Sequence, residues 1–185
     1  MHEYTKEHGH TVTLTWYEAQ MAVDCGVRRN MASWQRGDQH KAGYKPKDLF
    51  DVSIKAAGAE LAVAKLLGLY WDGSVDTFKS QSDIPDHDIE VRLSLTIPPH
   101  LIVRPHDPSD RRYVLVKSRW VHGEQPRYSI LGWKWGYEAK DERYLTDNNN
   151  GRPPAYFLPV NHLHPMSYIS AHNINRASFG PQQEV

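Results

Sequence analysis

Ser82-Asp83-Ile84-Pro85-Asp86-His87-Asp88-Ile89-Glu90-Val91-Arg92-Leu93-Ser94-Leu95 is the stretch that decides the fold. From Ile89 it alternates with a period of two. Ile89, Val91, Leu93 and Leu95 fall on one face, and Asp88, Glu90, Arg92 and Ser94 on the other. This is a strand with an apolar side and a charged side. The Pro85-Asp86-His87 turn joins it to a preceding strand candidate, Val75 to Lys79.

Upstream the periodicity is helical. Asp51 or Ser53 is placed to cap a helix that runs to about Leu67, and Gly68 to end it in a left-handed turn. At 100° per residue, Lys55 and Lys65 flank one line along this helix, and Glu60 lies diametrically opposite. Glu60 therefore points inward, among Ala56, Ala57, Val63, Ala64 and Leu67. A carboxylate there needs a partner, because an unpaired buried charge is strongly unfavourable. A cation is one candidate; an ion pair with Arg92 or Arg104 is the competing explanation.

Further out, Ala19, Ala22, Val23 and Val27 predict an N-terminal amphipathic helix over Thr15 to Asn30. The polar stretch Gln35 to Lys47 reads as a surface loop. Leu101 to Arg104, Tyr113 to Trp120 and Tyr128 to Tyr137 read as strands. They are separated by turns at Pro105 to Asp110 and Gly123 to Pro126. The expected fold class is α/β, a central mixed β-sheet flanked by helices. A C-terminal extension from about 147 to 185 holds a short extended piece, Tyr156 to Val160, and a polar tail expected to be flexible.

Composition bounds the function. The 185 residues suit one domain; 39% are hydrophobic and 24% charged, and 22 basic residues balance 22 acidic ones, which excludes a strongly basic nucleic-acid binder but not a nuclease. No apolar run approaches the roughly 20 residues needed to span a bilayer, and Met1 to His10 lacks the apolar core of a signal peptide, so a cytoplasmic location is expected. Cys25, the single cysteine, excludes an internal disulfide and reads as a small buried side chain.

The acidic residues carry the chemistry. Carboxylates from adjacent strands can converge on one cation, and alternation sets Glu90 and Arg92 side by side. Magnesium takes about six oxygens and keeps several waters, so two or three carboxylates and a backbone carbonyl suffice.

Glu60 in Gly58-Ala59-Glu60-Leu61-Ala62, Asp83 in Ser82-Asp83-Ile84, and Glu90-Val91-Arg92 resemble the helix glutamate, metal aspartate and E-x-K element of the PD-(D/E)XK nuclease superfamily. The resemblance covers about residues 50 to 137, and the surrounding layout is similar to that of small, phage-type members. It implies a restriction-endonuclease-like core and Mg2+- or Mn2+-dependent hydrolysis of DNA. It also implies a metal held by Asp83, Glu90, Glu60 and the Val91 backbone carbonyl, with Arg92 on the scissile phosphate. Asp86, in a literal Pro-Asp pair, and Asp88 are alternatives to Asp83. Arg92 stands where the family has lysine; a guanidinium stays protonated and positions phosphate rather than acting as a base. A catalytically degenerate member that binds nucleic acid or a host protein, or a structural phage protein, is the alternative.

Other groups carry weaker signals. His2, His8 and His10 with Glu3 and Glu7 are a metal candidate weakened by the flexibility usual of chain ends, and His162 and His164 are one only if that piece is extended. His87 is a candidate relay, and Trp133 and Trp135 share a face as core or as base-stacking residues.

Overall fold

The computed structural model describes residues 9–38, 46–75, 81–84, 87–146 and 153–169. Pro85, Asp86, His2, His8, most of the Val75 to Lys79 strand candidate and the polar tail lie outside the described residues. The elements are β1 (His10–Thr13), α1 (Trp16–Arg36), α2 (Pro46–Leu67), β2 (Ile89–Leu93), β3 (His100–Val103), β4 (Arg112–Arg119) and β5 (Arg127–Trp135). A one-turn α3 (Gly136–Ala139), β6 (Leu145–Thr146) and β7 (Ala155–Pro159) follow.

The class is mixed α/β, but with two sheets where one was expected. The first has the order β1-β5-β4-β2, with β2 parallel to β4 and the other pairs antiparallel; the second has the order β3-β7-β6. The Leu101 to Arg104 strand therefore belongs to the second sheet. It pairs with the Tyr156 piece, Ile102 opposite Phe157. The helices cover only one face of the first sheet. Ala57, Val63, Ile89, Val91, Val114 and Ile130 share that core. Leu101, Tyr113, Leu115, Leu131 and Leu158 form a second core between the sheets. Tyr113 to Val116 are all fully buried because β4 is covered on both faces.

Thr15 caps α1: its hydroxyl accepts the Glu18 amide at 3.2 Å while the Glu18 carboxylate accepts the Thr15 amide at 2.7 Å. The helix runs six residues past Asn30 to Arg36. α2 starts at Pro46, which has no amide hydrogen to lose in a first turn. Asp51 is accordingly not a cap but an intrahelical partner of Lys55 at 2.7 Å, and Ser53 also lies within the helix. Gly68, at φ 67°, follows the helix as expected.

α1 and α2 touch closely at Gly26, where a Cβ would stand 2.5 Å from the Ile54 Cα. Between β4 and β5 the register slips: Leu115 faces Gly132 and Val116 faces Ile130, so Leu131 is an inserted residue. Gly132 takes φ 138°, and a Cβ there would meet the His164 carbonyl at 2.8 Å. The insertion lets both Leu131 and Gly132 face the Leu115 side of the strand, with Leu131 in the second core.

Candidate functional site

β2 is the edge strand of its sheet, and the site is built around its free side. Odd-numbered residues turn their backbone groups to that edge. The Ile84 amide donates to the Ile89 carbonyl at 3.2 Å, and the Val91 amide donates to the Asp83 carboxylate at 2.7 Å. Asp83 thus satisfies a donor that an edge strand leaves exposed. It does so from a short bridged segment beside β2, not from a regular strand opposite Glu90. Strand geometry turns the Val91 carbonyl to the same edge as its amide.

Glu60 is inward, 5% exposed, as its helical position requires. Its partner is neither Arg92 nor Arg104. Arg29 of α1 grips it with both guanidinium nitrogens, at 2.6 and 2.9 Å, and the Trp71 indole N–H donates at 3.2 Å. The Arg29 Nε donates to the Ser74 carbonyl at 2.8 Å, fixing the fork. Burial and then the charge of Asp83 push the Glu60 carboxyl up to about 7, against the pull of Arg29 and Trp71.

Glu90 lies on the other face of the strand. Val91 packs in the helix-side core, whereas Glu90 is in register with Tyr113 of the inter-sheet core. It is 8% exposed, so the charged row of β2 is not turned to water. Arg111 binds one Glu90 oxygen in a short contact and Arg92 the other at 3.3 Å. Arg92 also reaches Asp107 at 3.1 Å and lies 5.1 Å over the Tyr113 ring. Burial and Asp83 raise the Glu90 carboxyl, against Arg92 and Arg111.

The fold thus brings Glu60, Asp83 and Glu90 into one electrostatic neighbourhood, with the β2 edge between the two glutamates. Four carboxylates, including Asp107, face three guanidiniums, Arg29, Arg92 and Arg111. Asp83 has no ion pair with any described residue, and its charge acts on both Glu60 and Glu90.

Hard carboxylate oxygens suit a divalent cation. The arrangement does not fit one as it stands: Glu60 and Glu90 have all their oxygens on guanidiniums. Among the described residues no group of three His, Cys, Asp or Glu side chains is placed to hold a metal.

Asp88 does not join the cluster. It sits in a turn at φ 48°, and its carbonyl accepts the Arg112 amide at 2.8 Å. The His87 carbonyl accepts from the Arg112 guanidinium at 2.7 Å. His162 and His164 part company: His162 bonds Tyr144, while the His164 Nε2 lies 3.0 Å from Glu138. Trp133 is core, its indole donating to the Pro165 carbonyl at 3.1 Å; Trp135 stacks on Tyr137 beyond the strand end.

Three residues of the cluster escape a sequence reading. Arg29 was findable: it follows Cys25 by four and Gly26 by three, on the inward face of α1. Asp107 and Arg111 sit in a turn-rich segment with no periodicity to assign them a side. Comparison of the chain with protein-family models, with curated proteins and with solved structures gives no match in any of the three.

Proposed function

We propose that this chain is a DNA-directed nuclease with a restriction-endonuclease-like core, dependent on Mg2+ or Mn2+. Its chemistry is carried by Glu60, Asp83, Glu90 and Arg92, the Val91 carbonyl serving as a further oxygen ligand. One observation carries the reading: Asp83, which has no ion pair with any described residue, caps the β2 edge, and next to burial its charge is what raises the Glu60 and Glu90 carboxyls. A carboxylate of that kind at a strand edge is where a cation would be attracted.

The chain's own residues have separable roles in this reading. Arg29 and Trp71 fix the Glu60 carboxylate. Asp83 ties the bridged segment to β2 through one oxygen, and its other oxygen has no hydrogen bond from a described residue. Arg92, partly exposed beside Glu90 and Asp107, supplies a permanently charged planar group for a phosphate oxygen. No step is assigned to a metal, because Glu90 must first release Arg111 and Arg92.

A second reading has its own support: the guanidiniums that occupy Glu60 and Glu90 suit a protein that binds DNA without cutting it. One experiment separates the two. Duplex, single-stranded and branched DNA are incubated with the chain and Mg2+ or Mn2+, with and without chelator, while binding is followed by fluorescence anisotropy. Cleavage that chelator and Asp83→Ala abolish supports the nuclease. Metal-independent binding with intact DNA supports the second reading. Intact DNA with neither binding nor any effect of Glu90→Ala defeats both. In either case the place of action is a cytoplasm, the host's if the chain is phage-encoded; no helix among the described residues is long and apolar enough to cross a membrane.

A further inference from the structure

We propose that α1 is the interface of a two-fold homodimer, in which two copies of the helix pack antiparallel along a seam with an ionic centre. α1 packs on α2, and no described residue covers its outer face. Along that face the exposed residues are Tyr17, Met21, Asp24, Arg28, Met31 and Gln35. The steps between them are four, three, four, three and four, the spacing of a coiled-coil seam. They fall within about 80° of one another around the helix, a stripe narrow enough to face one partner helix. Tyr17 is 76%, Met31 44% and Met21 38% exposed, which is unusual for side chains of this kind.

The order of residue types names the occupant. A two-fold axis at the level of Gly26 sets Met21 of one copy against Met31 of the other. The same axis sets Asp24 against Arg28, twice. Tyr17 meets Gln35 at each end. Each pairing joins an a position to a d position, as antiparallel packing requires. Within the chain, Asp24 accepts only from Gln20, at 3.0 Å, and Arg28 has no ion pair or hydrogen bond with any described residue, although Asp24 is one turn away. A parallel dimer would oppose like charges at both central levels. The stripe is complementary to its own reverse, so a second copy satisfies it.

The test uses the full chain. Sedimentation velocity at about 100 µM, a concentration that populates micromolar complexes, is expected to show a reversible dimer. Asp24→Arg and Arg28→Asp each oppose like charges across the axis and should weaken association by about tenfold or more. The doubly exchanged chain, Asp24→Arg with Arg28→Asp, restores the pairs and should dimerise. An equimolar mixture of the two single variants should form the mixed dimer, a result that also certifies that each is folded. Arg28→Gln, which keeps a good helix former, should weaken the dimer less than Arg28→Asp does. A wild-type chain monomeric at that concentration overturns the proposal. So do single variants that associate as tightly as the wild type, or a mixture that stays monomeric.

Discussion

Replacing Arg29 with methionine should strand a buried carboxylate. The substitution removes both donors to Glu60 and the donor to the Ser74 carbonyl. Ser74 is near the surface, where water can substitute, so the loss is dominated by Glu60, whose side chain is 7% exposed. Removing one member of a buried pair costs about 3 to 5 kcal/mol, because the charge left behind keeps its desolvation penalty and loses its compensation. With a urea m-value of about 2 kcal/mol/M for a chain of this size, the midpoint should fall by roughly 1.5 to 2.5 M at pH 8. The carboxyl can escape by taking a proton, so the same variant at pH 5 should lose much less, roughly 1 to 2 kcal/mol. Adding Glu60→Met should recover most of the loss at pH 8, since an apolar pair of similar volume replaces an ion pair without a stranded charge. Equilibrium urea unfolding followed by tryptophan fluorescence reads all three. A midpoint shift at pH 8 smaller than about 0.5 M, or a double variant no more stable than Arg29→Met, would refute the assignment of this pair as the internal support of the site.

The Glu60 carboxyl, raised to about 7, binds its proton more tightly in the folded chain than in the unfolded one, so its contribution is complete below about 4.5 and is lost as pH rises through about 7. The wild type should therefore lose up to about 3 kcal/mol relative to Glu60→Gln between pH 4 and pH 8, measured as the difference between two unfolding series; a flat difference contradicts it. Gly26→Ala gains about 1 kcal/mol in helix propensity but places a methyl against the Ile54 backbone, which has no rotamer to yield, so net destabilisation of about 1 to 2 kcal/mol is expected in the same assay. Asp83→Asn keeps an acceptor for the Val91 amide while removing the charge that acts on Glu60 and Glu90. It should leave stability at pH 7 unchanged or raised, whereas Asp83→Ala, which exposes the edge amide, should lower it by about 1 kcal/mol; thermal melts of the two variants decide.

Local patterns in the chain were sufficient for most elements. The Ile89 to Leu93 alternation, the apolar spacing of α1 and the inward direction of Glu60 depend on repeats of two and 3.6 residues, which any short window contains, whereas the strand stops before Leu95, which is exposed. Helix starts were less legible: Asp51 looks like a cap, but in α2 it pairs with Lys55, because Pro46 already opens the helix one turn earlier. The second sheet was not legible at all. Leu101 to Val103 reads as a strand with no sign of which sheet it joins, since pairing with residues more than fifty positions away leaves no local mark.

The acidic residues divide in the same way. That Glu60 points inward and that Glu90 and Arg92 share a face follow from helix phase and strand alternation, whereas their grouping with Asp83 was only what the resemblance implied. What their charges meet was decided by long-range packing. Arg29 arrives from another helix, and Arg111 and Asp107 from a turn that closes over Glu90 and Arg92. A sequence fixes which face of an element a side chain occupies, through the geometry of one backbone repeat. Which opposite charge meets it on that face depends on how distant elements stack, and only the tertiary structure holds that information.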